Sequence, residues 1–439
     1  MKNLFLTRRF FTLFWGCVLL FVVSLMVQWL LIIALAGIFV IVLSTCIEIV
    51  MLYSNKGIIA ERILPDKFSN GNENNVQILL ENRYNFAVKL KIYEDYPVQF
   101  QIRDGAMDVT LIRNESKHLN YTLKPVKRGE YIFGYVNTLV TSNLGLVYRR
   151  FRTCKDQKVA VYPSFVQMRR FELLAISNRL SEIGIKKIRK IGTSAEFEHI
   201  RPYVQGDDPR KVNWQATARR GDLMVNNFQD ERSQQVYCII DKGRTMKMPF
   251  EGMSLLDYAI NASLVLLNTA FVKGDKAGLI TFSNQISNIV PAERRPTQIN
   301  KILEVLYNQK TFYKESDYEI LYATTKLKIS QRSLLVLFTN FETIEGMRRQ
   351  LFFLRKLAMQ HLLVVVSFEN TQMNLLLESS PETLEEIYIK TIAEKFTFDK
   401  RIIIRELEQN GIHTILTPPA DLTVSVINKY LELKARGSI

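Results

Sequence analysis

The chain has 439 residues, 47% of them hydrophobic and 23% charged, which is long enough for two or three domains that each bury a core. Two of its four cysteines, Cys17 and Cys46, lie in an apolar N-terminal segment, which argues against a disulfide framework and fits a reducing compartment. The cysteines lack metal-ligand spacing and the four histidines form no cluster, which argues against a zinc or histidine-based catalytic centre. The net charge of +15 leaves two anionic partners open, lipid headgroups and nucleic acid.

The first predicted elements are two membrane helices in segment 1–55. Residues 10–53 are apolar apart from Gln28, Glu48 and a few small polar side chains. Because one helix needs about 20 residues to cross a bilayer, the run predicts two helices, at 10–27 and 30–53, with a tight turn between them. No short apolar core with a small-residue cleavage site is evident, which favours a permanent anchor over a signal peptide.

The charges that flank the two helices predict their orientation. Lys2, Arg8 and Arg9 precede the pair, Lys56 and Arg62 follow it, and the turn between the helices carries no charge. Basic flanks stay in the cytoplasm, so a two-pass topology with both termini and all soluble domains cytoplasmic is expected. Because the anchor places the chain at the bilayer, an anionic lipid surface is favoured over nucleic acid.

Residues 60–165 are predicted to form a β-sandwich-like domain. Apolar and polar residues alternate at 76–80, 88–92 and 119–123, and a period of two indicates strands with one buried face. Short strands with glycine and asparagine between them are typical of a sandwich. No catalytic pattern appears, so a structural spacer or a docking surface is expected. Residues 166–235 are predicted to be a connector.

Residues 236–439 are predicted to form an α/β domain. Apolar runs alternate with helical patterns, which indicates a parallel, doubly wound sheet. The strands are predicted at 236–240, 277–282, 286–290, 333–338, 362–367 and 414–417. The helices are predicted at 255–271, 297–306, 344–359, 381–409 and 420–434. Ligands of such sheets bind at the carboxyl ends of the strands, so Asp241 and Asn340, which each follow a strand, are expected at one functional edge.

The most unusual part of the sequence is residues 197–228, here called the signature block. Few soluble cores mix arginine, aspartate, tryptophan and glycine so densely. Asp208 suits a helix N-cap, Pro209 the first helical position and Gly221 the helix end. The block therefore predicts a short helix at 208–220 that presents Trp214 and Arg219.

Two interpretations of the charges in the signature block stay open. One is a recognition surface for a partner protein, and the other is an internal salt-bridge lattice that clamps the short helix to the main sheet. The residues concerned are Arg201, Tyr203, Gly206, Asp207, Asp208, Arg210, Trp214 and Arg219. The lattice is slightly favoured.

Two further uses of the signature block are weaker. Adjacent carboxylates in a turn rarely converge on one substrate atom, so Asp207 and Asp208 are not predicted to act as an acid–base pair. A tryptophan among basic residues can stack a nucleic-acid base, but a single one such as Trp214 is more often a core anchor.

The signature block also carries a family resemblance. From residue 201 it reads R-P-Y-V-Q-G-D-D-P-R-K-V-N-W-Q-A-T-A-R, and an apolar strand that ends in Asp241 follows it. This resembles the bacterial membrane family called domain of unknown function 58, as do R-I-L-P at 62–65, K-R-G-E-Y-I-F-G at 127–134 and S-N-L-G-L at 142–146. The resemblance covers essentially the whole chain. It implies a two-helix transmembrane hairpin in the bacterial inner membrane, a β-sandwich-like domain and a doubly wound von Willebrand factor A-like α/β domain.

The resemblance also implies a degenerate metal site. Von Willebrand A domains hold Mg²⁺ with D-x-S-x-S after the first strand, a threonine from a later loop and an aspartate that ends the fourth strand. Asp241 and Thr245 match the first motif, whereas Gly243 supplies no oxygen ligand in place of a serine. Thr297 is the loop counterpart, and Asn340 replaces the second aspartate with a neutral amide. No cofactor is expected, although Mg²⁺ at this weakened site stays open.

The family resemblance finally implies a partner. Genes of this family often lie beside those for MoxR-type AAA+ ATPases and other von Willebrand A proteins, which implies a membrane-tethered adaptor or chaperone-like partner of such an ATPase. The sequence has neither a phosphate-binding loop nor a G-x-S-x-G elbow, so no enzymatic activity is predicted. The alternatives are an extracytoplasmic metal-dependent adhesion module and a basic lipid- or nucleic-acid-binding surface protein.

Overall fold

The structure is a computed structural model with two compact units, Met1–Tyr162 and Pro163–Ile439. It describes residues 3–54, 57–102, 105–176, 195–204, 207, 209, 212–230, 233–250, 252–311, 313–371, 373, 377, 381 and 383–438. Each unit has its own buried core.

The first unit begins with two packed apolar helices, α1 (Arg8–Val23) and α2 (Leu30–Tyr53). They approach closely at a glycine, since a Cβ added at Gly37 would lie 3.0 Å from the Cys17 sulfur. Most of their other apolar side chains, such as Trp15 and Phe39, are exposed. α2 is long and apolar enough to cross a membrane, whereas α1, with 16 residues, is shorter than the predicted helix 10–27.

The rest of the first unit is β structure with short strands, antiparallel except that β11 pairs with β3 in parallel. The strands are β1 (Leu4–Leu6), β2 (Ile58–Ile63), β3 (Lys67–Ser69), β4 (Asn74–Asn82), β5 (Val88–Glu94), β6 (Ala106–Leu111), β7 (Ser116–Leu123), β8 (Gly129–Phe133), β9 (Val136–Thr141), β10 (Val147–Thr153) and β11 (Gln157–Tyr162). One sheet has the order β1-β10-β9-β5-β6, and two smaller sheets have the orders β2-β4-β7 and β3-β11-β8. Apolar side chains from β2 and β4 share a core with those from β5 and β9, which makes the unit sandwich-like.

A buried carboxylate joins α2 to this β structure. Glu48 is fully buried near the end of α2 and accepts hydrogen bonds from the turn between β9 and β10. The donors are the backbone N–H groups of Ser142, Gly145, Leu146 and Val147 and the hydroxyls of Thr141 and Ser142, at 2.7–3.4 Å. Hydrogen bonds to charged acceptors are about twice as strong as neutral ones, so this contact fixes the helix end to the sheet.

The segment before α1 is held by the same strand and turn. β1 pairs in antiparallel fashion with β10, and the Thr7 hydroxyl donates to the carbonyl of Gly145. Thr7 also caps α1 by accepting a hydrogen bond from the Phe10 N–H. Both ends of the helix pair are therefore tied to one β sheet.

The second unit contains an α/β domain with a long parallel sheet. Its strands are β12 (Ala195–Pro202), β13 (Met224–Asp230), β14 (Gln235–Asp241), β15 (Pro249–Phe250), β16 (Met253–Ser254), β17 (Lys276–Phe282), β18 (Ile286–Glu293), β19 (Leu334–Phe338), β20 (Leu362–Phe368) and β21 (His413–Thr417). Its helices are α3 (Phe165–Ile176), α4 (Trp214–Arg220), α5 (Leu255–Val272), α6 (Gln298–Tyr307), α7 (Tyr318–Lys328), α8 (Ile344–Gln360), α9 (Leu384–Gln409) and α10 (Leu422–Ala435).

The main sheet of the second unit has the order β18-β17-β14-β19-β20-β21. All neighbours are parallel except β18, which runs antiparallel to β17. The two faces of the sheet are covered by separate apolar clusters, one built around α5 and one around α8. The predicted strand and helix order is observed, but α7 was not predicted.

Helix α5 has the length and hydropathy of a membrane span, but 83% of its apolar window is buried inside the second unit. It begins with a capping box in which Ser254 and Asp257 satisfy each other's backbone N–H groups. A helix that is apolar on all sides and enclosed by protein is a core helix.

Candidate functional site

The chain order of the main sheet reverses between β14 and β19, because β17 lies on one side of β14 and β19–β21 follow on the other. Ligand sites of open parallel sheets lie outside the carboxyl ends of the strands at such a reversal. Asp241 is the last residue of β14. β19 ends at Phe338, and Thr339 and Asn340 follow it. Both predicted residues therefore lie at this edge.

The carboxylate of Asp241 is buried and fully engaged. Its Oδ1 accepts hydrogen bonds from the Gly243 N–H, at 2.8 Å, and from the hydroxyl of Ser316. Its Oδ2 accepts hydrogen bonds from the Thr339 hydroxyl, at 2.8 Å, and from the Tyr318 hydroxyl, at 3.3 Å. Burial raises the pKa of Asp241, and these four hydrogen bonds oppose that rise.

These residues do not fit an octahedral Mg²⁺ cage. A serine hydroxyl at position 243 would belong to the metal motif, but a Cβ added to Gly243 would overlap Ser316 Oγ. Ser316 thus occupies the space of the missing serine side chain and donates to Asp241 instead of leaving that oxygen open. Among the described residues no group of three or more His, Cys, Asp or Glu side chains is placed to hold a metal ion.

The predicted loop ligand Thr297 lies at the wrong edge of the sheet. It precedes α6, next to Gln298, whose side chain donates to the carbonyl of Ala277 at the start of β17. β17 has seven residues, so at about 3.3 Å per residue this edge lies about 20 Å from that of Asp241. The antiparallel strand β18 causes this, because it carries the chain back across the sheet before α6 begins.

The two remaining predicted ligands do not join Asp241 either. Thr245 lies in the 3-10 turn Arg244–Lys247, and no hydrogen bond from it to Asp241 is found in the described part of the chain. The Asn340 side-chain oxygen instead accepts a hydrogen bond from the ammonium group of Lys400 on α9. Burial lowers the pKa of Lys400 to about 8.

Asn340 and Lys400 line a pocket of about 380 Å³ at the carboxyl edge of β19, β20 and β21. The pocket is bounded by the loop after β14, by the ends of β20 and β21, and by one side of α9. Its apolar walls are Met248, Pro249, Phe250, Leu255, Phe368, Phe396 and Leu416, and its charged groups are Glu342, Glu369, Lys400 and Arg401. The sequence did not predict Lys400 as a partner of Asn340, because the two residues are 60 positions apart in the chain.

The signature block forms the β12–β13 hairpin and the short helix α4. The predicted helix end at Gly221 is observed, since Gly221 adopts φ +82° after Arg220. The predicted start at residue 208 is wrong, because α4 begins at Trp214 with the Asn213 side chain as its cap. Val212 forms a β bridge with Val225, so the chain just before the helix pairs with β13.

Part of the predicted salt-bridge lattice exists. Arg201 Nη2 lies 2.7 Å from Asp207 Oδ1, and Asp207 Oδ2 also accepts the Val204 N–H. The backbone N–H of Tyr203 donates to the carbonyl of Leu223. Three other predicted residues, Gly206, Asp208 and Arg210, lie outside the described residues.

The face of α4 is exposed. Trp214 is 71% exposed, so the expectation that it anchors the core is wrong, and Arg219 is exposed as well. The helix is nevertheless held in place, because the Thr217 hydroxyl donates to the Asn213 carbonyl and accepts the Met224 N–H. The side chain of Asn213 also donates to Asn226. An exposed aromatic side chain on a fixed helix suits recognition rather than packing.

These features define a class, a mixed α/β protein whose polar residues collect at the carboxyl edge of a largely parallel sheet. Residues 199–395 match the family model described as "Protein of unknown function DUF58". This match and the relative below support the DUF58 resemblance that the signature block predicted. A curated relative, "Uncharacterized protein YeaD" of Bacillus subtilis (strain 168), is 24% identical over 249 residues. That match covers 54% of this chain and 58% of the relative.

Two of the solved structures that resemble this chain are distant from it in sequence. The conserved hypothetical protein BatB from Bacteroides thetaiotaomicron is 10% identical, with a TM-score of 0.31 over 46% of this chain and 100% of that chain. A CARDB domain from Pyrococcus furiosus is 17% identical, with a TM-score of 0.17 over 24% of this chain and 93% of that domain. The fold described above rests on the strand order and pairing of this chain itself.

Proposed function

We propose that this protein is a membrane-tethered, non-catalytic adaptor that binds another protein through the exposed face of α4. The observation that carries the proposal is Trp214, a large aromatic side chain that is exposed on a helix fixed by hydrogen bonds on both sides. Tryptophan and arginine are the residues most enriched among those that dominate binding energy at interfaces. The basic residues Arg219 and Arg220 follow on the same short helix.

The proposed partner is a MoxR-type AAA+ ATPase, and this choice comes from the DUF58 resemblance. We also propose that the α/β domain is von Willebrand A-like and acts without a bound metal. The engaged carboxylate of Asp241 supports this second point, because its two oxygens are already hydrogen-bonded to Gly243, Ser316, Thr339 and Tyr318. Binding specificity would then come from side chains and not from a shared Mg²⁺ ligand.

The tether is proposed to be the α1–α2 pair, inserted with both flanks in the cytoplasm. Support for a same-side arrangement comes from β1, which precedes α1 and pairs with β10, a strand that lies after α2. The basic residues Arg8 and Arg9 at the start of α1 support the cytoplasmic side. The exposed apolar surface of α2 suits lipid contact.

The test is affinity purification of the tagged full-length protein from detergent-solubilised native membranes, with and without ATP, read by mass spectrometry. We expect an AAA+ ATPase to be enriched in a nucleotide-dependent way and Trp214→Ala to reduce its recovery at least tenfold. Phe352→Ala is the matched control, because Phe352 is another exposed aromatic of the second unit, on α8.

The outcomes separate the adaptor from its rivals. Equal recovery with Trp214→Ala and the wild type would reject α4 as the binding surface. Recovery of no ATPase in either nucleotide state would reject the partner. Turnover of a defined substrate by the purified protein would reject the non-catalytic role.

A further inference from the structure

The pocket beside Asn340 contains an ammonium group for which the described residues supply no ion-pair partner. Lys400 is partly buried on α9, and within the described ranges no carboxylate lies within 4.0 Å of its Nζ. Among the described residues, the Lys400 ammonium group donates one hydrogen bond, to the side-chain oxygen of the neutral Asn340 amide. Glu342 also lines the pocket, and its negative charge acts on Lys400 from beyond ion-pair distance.

A partly desolvated cation of this kind is costly to the fold. Burial without a paired anion disfavours the charged form, and an apolar residue at position 400 would avoid that cost. The three other charged groups of the pocket are Glu342, Glu369 and Arg401. Since no carboxylate of the described residues compensates Lys400 at short range, a bound anion is the group that would complete the site.

The walls of the pocket define the rest of the ligand. Phe250, Leu255, Phe368, Phe396 and Leu416 line the same pocket as Asn340 and Lys400. A volume of about 380 Å³ lies at the low end of ligand pockets, which accept an apolar body oriented by a few polar groups. The chemistry is therefore that of one carboxylate attached to one bulky apolar group.

We propose that this pocket binds the C-terminal residue of a partner polypeptide, with the terminal carboxylate on Lys400 and Asn340 and an apolar side chain between Phe250 and Phe396. Capture of a C-terminal carboxylate is an established mode of peptide recognition, in which the charge fixes the chain end and a pocket selects the last side chain. This inference rests on the proposed protein-binding function, and it names the chemical end of the polypeptide that is bound.

The site lies apart from the α4 surface in sequence and in the elements that form it. Trp214 lies on α4, beside the β12–β13 hairpin, whereas the pocket is formed by the loop after β14, the start of α5, the ends of β19–β21 and α9. The two surfaces can therefore be tested by separate substitutions in the same full-length protein.

The experiment measures binding of fluorescent hexapeptides that end in leucine or phenylalanine to the full-length protein in detergent, by anisotropy. Each peptide is used with a free C-terminal carboxylate and as its C-terminal amide, and dodecanoate is used as a competitor. The variants are Lys400→Met, Lys400→Arg and, as a matched control, Lys301→Met, which removes an exposed lysine from α6.

We expect the free-acid peptide to bind, and amidation or Lys400→Met to weaken binding at least tenfold. Lys400→Arg should retain part of the affinity, and Lys301→Met all of it. Equal binding of acid and amide, or unchanged binding by a folded Lys400→Met protein, would overturn the proposal. Binding of dodecanoate with no binding of any peptide would overturn the polypeptide source, because the anion would then be a free acyl carboxylate.

The same variants separate this inference from the adaptor role. If Lys400→Met still recovers the ATPase and no peptide binds the wild type, the pocket proposal fails alone. If peptides bind through Lys400 but no ATPase is recovered with the wild type, the ATPase partner fails and the pocket stands.

Discussion

Two buried carboxylates, one in each unit, are stabilised in different ways. Glu48 of α2 is held by four backbone N–H groups of one turn, together with two hydroxyls. Asp241 of β14 is held by three hydroxyls from distant parts of the chain and by a single backbone N–H. For neither is an ion pair found among the described residues.

The difference between the two sites is one of adaptability. A backbone N–H can only donate, so the turn around Glu48 requires an acceptor with both oxygens present. A hydroxyl rotates and can accept or donate, so the surroundings of Asp241 can adjust to a changed side chain. Glu48 therefore acts as a rigid joint between a helix and a sheet, whereas Asp241 is held at the carboxyl edge of its sheet mainly by hydroxyl groups that can reorient.

The largest expected effect is at the rigid joint. We expect Glu48→Ala to lower the free energy of unfolding of the first unit by about 4 kcal/mol, because buried N–H donors lose their acceptor. Glu48→Gln should cost about 2 kcal/mol, since its NH₂ group faces N–H donors that cannot turn around. Denaturant unfolding of the full-length protein in detergent measures both. Glu61→Ala, at an exposed position on β2, is the control, and a Gln variant as stable as the wild type would refute the rigid-joint model.

The second effect is at Asp241, where the amide should be tolerated. We expect Asp241→Ala to cost about 3 kcal/mol and Asp241→Asn about 1 kcal/mol or less, because the new NH₂ group can donate to Thr339 and Tyr318. Denaturant unfolding of the full-length protein in detergent measures both free-energy losses, read from the unfolding transition of the second unit. If Asn costs as much as Ala, the hydroxyls do not adjust and the contrast with Glu48 is lost.

The third effect tests why position 243 is a glycine. Gly243→Ser is expected to lower the free energy of unfolding by about 2 kcal/mol, because its Cβ meets Ser316 Oγ. The double variant Gly243→Ser/Ser316→Gly should recover most of that loss, since it removes the overlapping atom. A double-mutant cycle, measured by thermal unfolding, gives the coupling free energy between the two positions. Additive losses would show that the two side chains do not compete for the same space.

The smallest effect has the opposite sign. Lys400→Met is expected to raise the free energy of unfolding by about 1 kcal/mol at pH 7, because the partly buried ammonium disfavours folding. The folded-state pKa is about 8, below the ordinary value of 10.5, so the unfolded chain binds more protons between these values and wild-type stability rises with pH there. The advantage of the variant should therefore shrink between pH 8 and 10.5, as measured by unfolding at several pH values. A constant difference across this range would show that the ammonium is not the cause.

The order of strands and helices in the α/β domain could be predicted because each buried strand leaves a continuous apolar run. The predicted strand 236–240 corresponds to β14, and the predicted helix 255–271 to α5. Helix α7 was missed because its buried face is narrow. It consists of Tyr318, Leu321 and Thr325, so no clear apolar stripe marks the helix.

The carboxyl edge could be predicted in part. Asp241 and Asn340 follow from the rule that parallel strands end at one edge. Ser316 and Tyr318 could not be found in this way, because they approach Asp241 from the loop before α7 and the start of that helix, with no adjoining strand to place them. Thr297 was predicted at the wrong edge of the sheet because a motif alignment contains no information on strand direction. β18 runs antiparallel to β17, so the chain returns to the opposite edge before Thr297.

The pairing of β1 with β10 has a consequence for the order in which the first unit assembles. The ribosome makes Leu4 well before its partner Arg149, which follows 145 residues later, and both helices emerge in the interval. β1 therefore stays unpaired, with its hydrogen-bonding edge open, until translation reaches β10. Closing so long a loop is slow, which makes this contact a late step of biogenesis and the exposed strand a natural client for a chaperone during that delay.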